Sequence, residues 1–168
     1  MKKTRFSKIA ALLLALTLAV GALLGVSVVA NATTDGPTLG YANILWGDEI
    51  KFAFTIDNAD ENASLGIAMY AIEGEDNAKV LKSVDFTAAD GEVAYYTTAG
   101  IAAKDIDTVY YIAIVEGTAG DFEVVYEDEY SVIEYMTAMS QNGASAAQMA
   151  LYEKVKAYND AANAIFDK

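Results

Sequence analysis

The sequence predicts a mainly β domain with an α-helical C-terminus. The expected architecture is an antiparallel, immunoglobulin-like β-sandwich of about seven strands, packed by one short and one long helix. Three observations predict it. Apolar residues alternate with polar ones in short runs from Ile44 to Tyr130, and a period of two is that of a half-buried strand. Clusters of Gly, Asn, Asp and Ser interrupt these runs every eight to twelve residues or so, the spacing of an antiparallel sandwich. After Ser131 the apolar period lengthens to three or four, which is that of a helix.

The elements follow in order. "ANILW" opens the sheet region at Ala42, and "EIKFAFTI" sets Ile50, Phe52, Phe54 and Ile56 on one face with Lys51, Ala53 and Thr55 on the other. "DNADENAS" is rich in turn formers and separates this strand from "LGIAMYAI". Next come the turn "EGEDNA", the strand "KVLKSVDF", the turn "AADG" and the strand "EVAYYTT". "TVYYIAIVE" is apolar on both faces, so it is expected at the centre of a sheet, and the C-terminal helices are expected to cap the sheet, over the outer side of this strand or along an edge. "GTAGD" then turns the chain into "DFEVVYE", where Phe122, Val124 and Tyr126 oppose Glu123 and Glu127.

Ser131 and Glu134 form an S-x-x-E capping box, which satisfies free amides at a helix start. Val132, Met136 and Met139 share a face of that short helix, and "SQNG" ends it. Ser145 and Gln148 repeat the signal. In the longer helix Leu151, Val155, Tyr158, Ala162 and Ile165 form the expected buried stripe. Each such side chain contributes on the order of 1.5–3 kcal/mol when fully covered.

The first segment bears on location. Lys2, Lys3, Arg5 and Lys8 form a basic n-region, an apolar run extends from Ile9 to about Ala30, and Ala30-Asn31-Ala32 offers small residues for cleavage. This is the layout of a secretory signal peptide. A retained membrane anchor is the rival reading, since roughly 20 apolar residues span a bilayer, but Gly21 and Gly25 weaken the helix it needs. The expected organisation is therefore a signal peptide over 1–32, a linker over 33–43 holding the only proline, Pro37, a sandwich over 44–130, and a helical pair over 131–168 in the same domain. The mature protein is expected outside the cell or on the cell envelope, with no membrane association after cleavage.

Composition narrows function by exclusion. Removing the four leader bases from the 11 Lys and Arg leaves 7 bases against 24 acids, a net charge of −17. The mature part has no Arg, His or Cys. Imidazole and thiolate metal sites of the zinc type cannot form, nor can the usual nucleophile–base pairs. No guanidinium is present to clamp phosphate. A negative surface repels nucleic acid, whose binding rests on phosphate neutralisation. Clustered acids stand in two loops, Asp57, Asp60 and Glu61 in one and Glu73, Glu75 and Asp76 in the other. Neither matches the spaced calcium loop, and loop acids are ordinarily solvated. No cofactor, no metal and no catalytic residue is expected.

"GIAAKDIDTVYYIAIVEG", "YSVIEYMTAM" and "AYNDAANAIF" together resemble a recurrent module of secreted and cell-surface proteins in gut Firmicutes, which are Gram-positive. The resemblance covers roughly Ile50 to Phe166. It implies a β-sandwich followed by a "YS-x-x-x-Y" helix and a last helix, in a secreted setting, and it brings no catalytic residue. This chain departs from that pattern at Asn159, Asn163 and Ile165, where the module tends to carry Gly, Gln and Tyr.

The leading expectation is a non-catalytic secreted or envelope module with a structural or protein-interaction role, its partner another envelope protein. The alternative is a carbohydrate-binding module. The chain has 11 Tyr and 1 Trp, and exposed aromatic rings stack on sugars while their polar tips stay wet. Tyr95–Tyr96 and Tyr110–Tyr111 are neighbours, so one of each pair points inward and the other outward. Trp46, Tyr96 and Tyr110 are the candidate glycan-binding residues.

Overall fold

A computed structural model describes residues 36–89 and 93–166. The expected signal peptide lies outside these residues. The domain is mainly β: two antiparallel sheets followed by two C-terminal helices, the sandwich plan that the alternation predicts.

Strands β1 (Thr38–Trp46), β2 (Ile50–Asp57) and β5 (Tyr96–Thr97) form a three-stranded sheet in the order β1-β2-β5. Strands β3 (Leu65–Glu73), β4 (Ala78–Asp85), β6 (Tyr110–Thr118) and β7 (Asp121–Tyr130) form a four-stranded sheet in the order β4-β3-β6-β7. The linker expected over 33–43 is shorter than its composition suggests. β1 begins at Thr38, pairs with Asp57 there, and crosses an irregularity between Leu39 and Ala42. That irregularity breaks the alternation which marks its second half. Of "EVAYYTT", the described residues Val93–Thr98 hold only the two-residue strand β5, paired with Ala53 and Phe54.

The core lies between the sheets. Phe52, Phe54, Ile67, Ile112 and Ile114 are fully buried, and Tyr130 packs edge-on against Phe54 with ring centroids 5.0 Å apart. β6 sits between β3 and β7, the central place its two apolar faces require. Left-handed turns at Asn58, Gly74 and Asn77 fall within the predicted breaks, where Asn and Gly accept positive φ at least cost.

Helix α1 (Val132–Gln141) starts where Ser131 Oγ accepts the Glu134 amide at 3.2 Å. It ends where Gly143, at φ +90°, lets the Ala144 amide return to the Met139 carbonyl at 3.3 Å. Helix α2 (Ala146–Phe166) opens with a reciprocal capping box: Ser145 N–H donates to Gln148 Oε1 at 2.8 Å, and Gln148 N–H donates to Ser145 Oγ at 3.3 Å.

The helices do not lie over the outer side of β6. α1 leaves β7 and reaches β1, where the Tyr135 hydroxyl donates to the Ala42 carbonyl at 3.4 Å. Its Val132 and Met136 enter the core between the sheets. The helix thus bridges the edges β7 and β1 and closes one side of the sandwich. On the opposite side β4 and β5 are tied by side chains. The Ala99 amide donates to Ser83 Oγ at 3.1 Å, and Thr97 Oγ1 donates to Asp85 Oδ2 at 3.2 Å.

α2 docks on the short 3₁₀ turn Ala103–Asp105 and the residues after it. Asn159, only 2% exposed, donates to the Lys104 carbonyl at 2.7 Å and to Asp107 Oδ1 at 3.2 Å. Asn163 donates to Asp107 Oδ2 at 3.0 Å. The buried stripe expected for this helix is displaced in phase. Tyr152 and Val155 pack on the core and Ala162 is buried, whereas Leu151, Tyr158 and Ile165 face solvent, the last two at 59% and 74% exposure. A hydrogen-bonded asparagine pair, not the largest apolar residues, sets the rotation of the helix. Among the described residues, no helix is long and apolar enough to cross a membrane.

Candidate functional site: the outer face of the four-stranded sheet

The three aromatic residues singled out in the sequence do not meet on one surface. Tyr110 is 8% exposed and belongs to the core. Its neighbour Tyr111 is the outward member of the pair, because Tyr110 shares its face with the buried Ile112 and Ile114. Trp46 and Tyr96 are half-buried on the inner side of the other sheet, packed against the same core. Trp46 stands opposite Ile50, and Tyr96 stands opposite Phe54. Tyr110 is shut into the core, and the half-buried rings of Trp46 and Tyr96 pack toward it from the other sheet, so the three do not form one stacking platform.

The outward aromatics stand elsewhere. Tyr70 on β3 is the direct cross-strand partner of Tyr111 on β6. The same alternation that sends Met69, Ala71, Tyr110 and Ile112 inward sends both tyrosines to the outer face. The floor beneath is small: Ala68, Ala113 and Val115 are buried there, covered by Tyr70, Val84, Phe86 and Phe122. Phe86 and Phe122 meet edge to face at 6.3 Å. Gly66 makes room for this cover, since a Cβ there would stand 2.8 Å from the Phe86 ring. The rim stays open. Leu81, directly across from Tyr70, is 42% exposed, Val124 is 47% exposed, and Ile72 is also exposed.

Charge is laid over this apolar ground. Lys79 Nζ sits 3.7 Å from the centroid of the Tyr111 ring, a cation–π distance. The same ammonium pairs with Glu127 on β7, so one lysine crosses the sheet from β4 to β7 above Tyr111. Hydrogen bonding to Glu129 raises the Tyr111 phenol above its ordinary value, with the Glu129 charge acting in the same direction. The Tyr70 phenol is also raised, by burial first and then by the Glu127 charge, against Lys79. Both phenols therefore stay protonated as donors at neutral pH. The arrangement offers two ring surfaces, hydroxyl donors, carboxylate acceptors and one ammonium. It offers no nucleophile–base pair.

The acidic loops do not converge on this face. Asp57, Asp60, Glu61, Glu73, Glu75 and Asp76 are exposed. Asp60 closes a local turn by accepting the Asn62 amide at 2.8 Å. An open depression of about 320 Å³ lies beside it, lined by Pro37, Asp60, Asn62, Ala63, Leu65 and Glu116. Among the described residues there is no group of three or more acidic, imidazole or thiol side chains able to hold a metal ion.

Tyr70 carried no signal by itself in the sequence. Its strand "LGIAMYAI" is apolar throughout, so alternation could not single out an outward ring. The signal that finds it is the pairing of β3 with β6, which exists only in the fold. No family model, no curated protein and no solved structure matches this chain.

Proposed function

We propose that this protein is a non-catalytic secreted or cell-envelope module that makes protein contacts through the outer face of its four-stranded sheet. One observation carries the reading: Tyr70, Ile72, Leu81, Tyr111 and Val124 share a face that the helices leave uncovered. Tyr is enriched at interfaces, and contiguous exposed apolar ground on a soluble domain marks a contact surface. The strongly negative remainder of the surface favours solubility over non-specific association. The strand order supports an immunoglobulin-like class, with the fourth strand beside the third instead of beside the fifth. The extracellular setting rests on the basic and apolar leader, and intact-mass analysis of culture supernatant tests it: a chain starting at Thr33 is expected.

A second reading, glycan binding, is favoured by the register of Tyr70 with Tyr111, which places two rings side by side. Lys79 already occupies one ring face, and for that reason the protein-contact reading stands first. Labelled protein binding to cell-envelope fractions separates the two. Protease treatment of the envelope abolishes binding on the first reading, and periodate treatment abolishes it on the second. Binding that survives the Tyr70→Ala/Tyr111→Ala double substitution overturns both.

A further inference from the structure

Helix α2 buries polar residues and exposes apolar ones. Asn159 and Asn163 bond to Asp107, and the rotation they set leaves Leu151, Tyr158 and Ile165 exposed. These three are seven residues apart, a spacing that drifts only about 20° per step around a straight helix. They form one row about 21 Å long, at about 1.5 Å per residue. A second row, Ala150, Ala157 and Ala164, has the same spacing and is also exposed. Between the rows stand Lys154 and Ala161, both exposed. Lys154 is the one charge on this face among the described residues.

Charge and symmetry say what covers such a face. From Thr33 to Tyr130 the chain has 20 acids against 4 bases, a net charge of −16. From Ser131 to Lys168 it has 4 acids against 3 bases, and α2 itself is neutral, with Glu153 and Asp160 against Lys154 and Lys156. A second copy is repelled from the sheets of the first and meets least repulsion at α2. The row is also self-complementary. A two-fold axis beside Tyr158 sets the Leu151 of each copy against the Ile165 of the other, an isologous contact. The helices then run antiparallel, with their dipoles favourably opposed, and the short alanine side chains let the two axes approach.

We propose that two copies of this protein associate through α2, antiparallel about a two-fold axis at Tyr158. A standard interface buries roughly 800 Å² per partner, and one row of three large side chains beside alanines gives less. The dimer is therefore weak, with a dissociation constant on the order of 100 μM, and dilute solutions hold the monomer. The contact is separate from the outer sheet face. A dimer carries two Tyr70–Tyr111 faces, and bivalent attachment raises avidity without any new contact.

Sedimentation equilibrium of the purified protein from about 10 μM to about 1 mM is the test. The parent is expected to show a reversible monomer–dimer equilibrium that tightens with added salt, because salt screens the repulsion between the acidic sheets. Association held by ion pairs would weaken with salt and would overturn the proposal, as would a monomer at every concentration. Ile165→Lys lowers the net negative charge yet puts a cation in the row, and it is expected to weaken the dimer at least about tenfold. Lys154→Leu removes the one charge between the rows and is expected to tighten it by about the same factor. A dimer unchanged by both substitutions lies elsewhere on the molecule and overturns the proposal. Should Ile165→Lys fail to fold, Lys154→Leu still decides. Tyr70→Ala/Tyr111→Ala is expected to leave the equilibrium as it is, and loss of the dimer there would assign it to the sheet face instead of α2. All variants share the same first 35 residues, so association through that segment would be equal in each and is told apart from α2.

Discussion

Tyr70 and Tyr111 face each other across the β3–β6 ladder on the outer side of the four-stranded sheet, and Lys79 reaches over Tyr111 to Glu127. That geometry depends on where the helices go. Because α1 bridges β7 to β1 and α2 docks on the turn before β6, neither of these helices shields the tyrosines.

The docking of α2 rests on Asn159. Replacing it with Ala removes its bonds to the partly buried Lys104 carbonyl and to the exposed Asp107 carboxylate; water takes over at Asp107, and leaving a buried carbonyl unsatisfied costs about 1–3 kcal/mol. Asn159→Ala is expected to lower stability by that amount in denaturant melts and to speed proteolysis of α2. Tyr158→Ala, although it removes a far larger side chain, is expected to stay within about 0.5 kcal/mol of the parent, as exposed positions do.

α1 is a wedge in the core. Met136, 5% exposed, is buried with Val132 between the two sheets. Met136→Ala leaves a cavity, and such substitutions cost about 2–5 kcal/mol. Met139→Ala, at a half-buried position of the same helix, is expected to cost less. Equal losses at the two sites would contradict the wedge.

Alkaline pH tests the buried phenols. Burial raises Tyr130, with Asp128 and Tyr126 adding to it, and burial also raises Tyr135. In the unfolded chain these groups titrate near 10.0. The folded state thus holds protons that the unfolded state has released, and stability falls as pH rises. Their contribution is complete below pH 10.0 and is lost above it, as pH climbs toward the folded values. Tyr130→Phe and Tyr135→Phe are each expected to flatten this decline, read from thermal melts at stepped pH.

Much of the fold was legible in the sequence because its signals are local. Alternation in "EIKFAFTI", the turn clusters and both serine caps depend on neighbours a few residues away. The failures share a different cause. In "TVYYIAIVE" both faces are apolar, so alternation fixes that Tyr110 and Tyr111 diverge but not which one enters the core. The long helix carries two overlapping apolar stripes, and the choice between them is made by Asn159 and Asn163 binding Asp107, fifty or so positions away in the chain. Hydrophobic periodicity cannot register a hydrogen bond. The site suffered most, since Tyr70 and Tyr111 become a pair only through strand pairing.

The central claim is that the outer face of the four-stranded sheet is bare, and oxidative footprinting of the purified protein with residue-level mass spectrometry tests it most directly. Tyr111, Leu81 and Ile72 should be labelled readily and Tyr110, Ile112 and Met136 protected, with Tyr158 and Ile165 labelled on the far side of α2. Protection of Tyr111 and Leu81 together with Tyr158 and Ile165 would place the last helix over the sheet and contradict the account.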